Sequence, residues 1–108
     1  MTHDAILNQL GLLPTEGLLE QLDRIEKNTH GFEKIIKHVL DLHETLKTDE
    51  SYVALSNSND YFKIKIDATS EISSADALAK INHFADKYKV KLQKVEGKPT
   101  YYIIGFAS

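Results

Sequence analysis

Along the first half of the chain, apolar side chains recur in alternating steps of four and three. Leu18, Leu22, Ile25, Thr29, Phe32, Ile36, Val39, His43 and Leu46 follow this stepping without a break, and seven of the nine are apolar. Side chains so spaced fall along one seam of an α-helix, and the spacing predicts a long helix over residues 15–47. Leu19, Ile35, Leu40 and Leu42 widen the stripe beyond a minimal seam. Ahead of it, residues 4–13 read as a short helix with Ile6, Leu7, Leu10 and Leu13 on one side. Gly11 suits its left-handed stop and Pro14 follows as terminator, while Thr15 offers a hydroxyl to the free N–H groups opening the next helix.

The second half changes period. Residues 51–57 and 61–67 read as strands around the turn-forming Asn57-Ser58-Asn59-Asp60. In the second of them Phe62, Ile64 and Ile66 alternate with Tyr61, Lys63, Lys65 and Asp67, giving one core face and one wet face. Residues 73–88 form a helix opened by Ser73 and Asp76, with Ile72 stapled to Ala77 and a buried stripe of Leu78, Ile81, Ala85 and Tyr88 beside Phe84. A third strand, 89–95, turns Val90 and Leu92 inward. The fourth, 100–106, is apolar on both faces, as a central or covered strand is. The expected fold is α+β: a helical arm, residues 1–48, followed by a ββαββ unit, residues 49–108, with a four-stranded, mostly antiparallel sheet, the whole forming one domain.

The long helix poses a geometric problem. At about 1.5 Å per residue it would reach ~50 Å, against a radius of gyration of about 13 Å for a compact chain of this length. Either it breaks near Asn28 and Gly31, leaving a self-contained bundle, or a second chain covers the overhang. The unbroken stepping favours continuity. On that reading Leu18, Leu22, Ile25, Phe32, Ile36, Val39, His43 and Leu46 form the seam of a homodimer, with Thr29 and His43 setting register. His43 in such a seam would make the contact sensitive to pH.

Composition narrows the chemistry. The 108 residues include no cysteine, which excludes disulfides, thiolate metal sites and cysteine nucleophiles. No apolar run reaches the roughly 20 residues of a membrane helix, and the expected setting is cytoplasmic, with no membrane contact. The net charge of −3 is uneven: residues 1–50 carry five basic and ten acidic groups (5 − 10 = −5), residues 51–108 eight lysines and six acids (8 − 6 = +2). His38 with Asp41, and His83 with Asp86, stand three apart on helices, but neither pair has a nearby third ligand, so no metal site and no catalytic residue is assigned. Gly97-Lys98-Pro99-Thr100 lacks the earlier glycine and the following helix of a phosphate-binding loop. No cofactor is expected.

Three functions remain. The first is a non-enzymatic interaction or regulatory module that dimerises through its long helix and presents an α+β surface to a protein or small ligand. The second is a nucleic-acid-associated protein using Tyr61, Lys63, Lys65, Lys89 and Lys91 on a sheet face. The third is a small enzyme with a pocket holding His38 or His83.

Overall fold

Residues 15–47 fold into two helices. In the computed structural model, which describes residues 1–107, α2 (Glu16–Asn28) ends at Thr29 in extended backbone, and α3 (Phe32–Leu46) starts after Gly31 at φ 66°, ψ 30°, a left-handed conformation. The expectation of a continuous helix is thereby corrected. Thr29, His30 and Gly31 are the three residues between the helices, so the break takes up one step of three and the stepping crosses it unmarked. The break is held by the far end of the chain. The Phe106 N–H donates to the His30 carbonyl at 2.7 Å, and His30 makes a parallel bridge to Gly105. This approach depends on missing side chains: a Cβ on Gly105 (φ 151°) would lie 2.7 Å from the His30 oxygen, and one on Gly31 would lie 2.7 Å from the Phe106 Cβ.

Folding back brings the seam inside. Leu22, Ile25, Phe32, Ile36, Val39, His43 and Leu46 are all buried within the single chain, and Leu18 packs half-buried against the same core. The side chains expected to meet a second copy are covered by their own molecule, because two short amphipathic helices can both face one sheet where a straight rod cannot. The radius of gyration is 13.1 Å.

The remaining elements follow in order. α1 (His3–Gln9), capped by the Thr2 hydroxyl, ends before the expected residue 13 and leaves Leu13 82% exposed instead of on the apolar side; Gly11 is left-handed and the Thr15 hydroxyl accepts from the Leu18 N–H, as the sequence predicts. His3 Nε2 meets the Glu26 carboxylate at 2.5 Å, tying α1 to α2. A 3-10 turn, Lys47–Asp49, leads from α3 into β1 (Tyr52–Leu55) and β2 (Phe62–Lys65). α4 (Glu71–Tyr88) starts earlier than expected: Ser70, not Ser73, is the cap, its hydroxyl accepting from the Ser73 N–H. Ala77, Ile81 and Phe84 enter the core, Leu78 is 37% exposed, and Ile72 at 76% staples nothing.

β3 (Val90–Lys94) and β4 (Thr100–Phe106) complete an antiparallel sheet of order β1-β2-β4-β3. β4, apolar on both faces, lies between β2 and β3. Val53, Leu55, Phe62, Ile64 and Ile103 are buried on one face with the helices over them. Tyr52, Ala54, Lys63, Lys65, Tyr102 and Ile104 fall on the other and stay half-exposed. The fold is therefore α+β, with its helices gathered on one side of a four-stranded sheet. Among the described residues, no helix is long and apolar enough to cross a membrane.

Candidate functional site

Alternation along β2 sends Lys63 and Lys65 to the open face because Phe62 and Ile64 are claimed by the core. Register then sets their neighbours: Lys63 lies opposite Tyr102, and Lys65 opposite Thr100. The β1–β2 loop, with Ser56 and Ser58, stands at one end of this row, and the β3–β4 loop, with Lys98, at the other. Together they enclose a cleft of about 390 Å³. No carboxylate lines it.

Both loops are braced. The Lys94 ammonium donates to the Val95 and Lys98 carbonyls at 3.1 and 2.6 Å, and the Ile66 N–H reaches the Pro99 carbonyl at 2.9 Å. At the other end α2 holds the loop: Gln21 Nε2 donates to the Ser56 carbonyl and Asn28 Nδ2 to the Asp60 carbonyl. Asp60, the acid of that loop, is drawn to Arg24 at 3.3 Å. Among the described residues, Lys63, Lys65 and Lys98 take part in no ion pair. Three ammonium groups with free charge thus share a concave surface with the hydroxyls of Ser56, Ser58, Thr100 and Tyr102.

Tyr102 is the least ordinary member. Its phenol oxygen stands 3.3 Å from Ser58 Oγ. Hydrogen bonding from Ser58, then Ser56, with a smaller push from Asn59 and the positive charge of Lys98, holds its pKa below the usual tyrosine value of 10.0. Tyr61 is tilted 35° to Tyr102 with ring centroids 6.1 Å apart, forming an aromatic pair at this end of the lysine row.

Of the five residues proposed for a basic face, the structure brings Tyr61, Lys63 and Lys65 together. Lys89 and Lys91 do not line the cleft. β4 separates β3 from β2, Lys89 is the left-handed cap of α4, and Lys91 sits at a bulge opposite Gly105. Nothing in their spacing along the chain marks Tyr102, Thr100, Ser56 and Ser58 as site residues. Alternation within TYYIIGF places Tyr102 opposite in facing to Ile103, but only the strand order, invisible in one sequence, sets it beside Lys63.

The histidines divide. His43 is buried, and its Nδ1 accepts from the Val53 N–H at 3.0 Å; burial, with Lys47 nearby, holds its pKa below the ordinary 6.5 despite Glu44. It is a structural group. His38 and His83, 45 positions apart in the sequence, line one groove between α3 and α4. Among the described residues, neither imidazole is hydrogen-bonded to a carboxylate there, and no group of three ligating side chains could hold a metal ion. A catalytic pair held by an orienting partner is not formed. Comparison with family models, curated proteins and solved structures finds no match to this chain.

Proposed function

We propose that the protein is a non-enzymatic binding module that receives an anionic, phosphate-bearing ligand on the open face of its sheet. One observation carries this reading: Lys63, Lys65 and Lys98 converge on a braced cleft that no carboxylate lines. Ammonium groups so placed supply charge-assisted hydrogen bonds, and the surrounding hydroxyls can donate to the remaining oxygens of a phosphate. Lysine is otherwise common on exposed strands as protection against edge pairing. β2, however, is an interior strand with neighbours on both sides, so that explanation does not apply to Lys63 and Lys65.

A single strand of nucleic acid is the second reading, favoured by the Tyr61–Tyr102 pair, on which a base could stack beside the lysine row. A homodimer of this fold would meet through a surface other than the 18–46 seam, whose side chains pack inside one chain.

Calorimetric titration with inorganic tripolyphosphate tests the first reading, and a short single-stranded oligonucleotide tests the second. Wild-type protein should bind tripolyphosphate at low salt and retain measurable binding at physiological salt. Lys63→Glu combined with Lys65→Glu should weaken it at least about 100-fold, two charge-assisted contacts being lost at about 1.5–3 kcal/mol each. The circular dichroism spectrum should be unchanged, because both side chains point away from the core. Equal binding by wild type and the doubly reversed variant would remove the proposal.

A further inference from the structure

The groove between α3 and α4 shares no residue with the lysine cleft. Its volume is about 410 Å³, within the range of small-molecule sites. Helical spacing builds it. His38, Asp41, Leu42 and Thr45 share one face of α3, and Ala79, His83 and Phe84 look back from α4. Leu42 and Phe84, both buried, form the floor. Ala79, with only a methyl group, leaves the space between the helices open. One end is closed by Tyr88, whose ring stacks on His38 at 3.6 Å with the planes 10° apart.

Charge decides which ligand fits. Lys80 reaches the groove, but its ammonium is consumed by Asp49 Oδ2 at 2.7 Å, Thr48 Oγ1 at 2.8 Å and the Thr45 carbonyl at 3.1 Å. Asp41, by contrast, is in no ion pair among the described residues. The groove therefore combines an apolar floor, aromatic walls and one uncompensated negative charge. We propose that it is a binding site for a small aromatic amine of one or two rings, its ring lying over Leu42 and Phe84 and its cationic nitrogen directed at Asp41. His83, exposed, and His38, half-buried beneath Tyr88, add an imidazole on either side, each able to donate or accept a hydrogen bond.

The chain contains no tryptophan, so an indole ligand can be excited selectively at wavelengths beyond the absorption of the five tyrosines. Tryptamine and indole-3-acetate present the same ring with opposite charge and serve as the two probes. Tryptamine should bind about tenfold more tightly than indole-3-acetate. Asp41→Asn should reduce that preference to less than about twofold while leaving residual ring binding. Ala79→Leu should fill the groove and abolish binding of both. Asp41 and Ala79 are both exposed, so neither variant disturbs the core. Absence of tryptamine binding, equal binding of the two indoles, or a preference for the acid would each overturn the proposal.

Discussion

His43 shows how a seam position can be read for its burial and missed for its task. Spacing places it among Val39 and Leu46, and it is buried there. What spacing does not reveal is that β1 is an edge strand whose Val53 N–H faces away from β2, toward α3. The imidazole accepts that proton at 3.0 Å and so occupies a backbone donor that would otherwise be buried unpaired or free to recruit another strand. An acceptor at Nδ1 requires that nitrogen to carry no proton. Burial lowers the folded-state pKa below the ordinary 6.5, so protons bind the unfolded chain more readily. The stability contributed by neutral His43 is fully present above that unfolded value and is lost as pH falls below it toward the folded one. Urea denaturation at intervals between about pH 7.5 and about pH 5 should show this loss. His43→Leu should be less stable at the upper end by about 1–3 kcal/mol, the cost of an orphaned N–H. It should also lose part of the pH dependence, and parallel curves for the two proteins would contradict the assignment.

At the scale of elements, most of the chain was legible and its junctions were not. Alternation in β2 and the apolar character of β4 identified both strands and their facing because each side chain there answers to one nearby surface. The turn between α2 and α3 was illegible for a specific reason: it removes three residues from the helix, and three is a seam step. The information lay instead in Asn28 and Gly31, weak helix formers whose meaning depends on Gly105, more than seventy positions away. In α4 the buried stripe keeps Ile81 and Phe84 and takes Ala77 in place of Leu78, a choice made by how the helix packs on α3 and the sheet, which one sequence does not show. Glycine substitutions separate contact from propensity. Gly105→Ala should destabilise by about 2–4 kcal/mol, because its Cβ would meet backbone atoms of His30 that cannot rotate aside. Gly17→Ala, in α2 with nothing within 4 Å, should be neutral or stabilising by up to about 1 kcal/mol. Chemical denaturation of the two variants beside wild type checks the contrast. Similar midpoints would mean that the docking of residues 29–31 on β4 contributes little.

For the whole molecule, the uneven charge noted in the sequence becomes a question of depth. Residues 1–50 carry −5 and residues 51–108 carry +2. In a flat arrangement the acidic half would repel any phosphate approaching the lysines. The fold instead puts the helices on one side of the sheet and the cleft on the other, separated by the core. Lys63, Lys65 and Lys98 act on a bound ligand at contact distance, whereas the exposed acids of the helices act through solvent, where the Debye length is about 8 Å at physiological salt. Only these three ammonium groups should then release counterions. For a single-stranded oligonucleotide, the logarithm of the association constant against the logarithm of salt concentration should have a slope of about −2, three contacts at about 0.7 each. Lys98→Ala should bring the slope to about −1.4, whereas Lys89→Ala, outside the cleft, should leave it unchanged. A slope near −5 would require most of the eight lysines of the second half to participate, and the ligand would then track the general basicity of that half and not the cleft between its two hairpin loops.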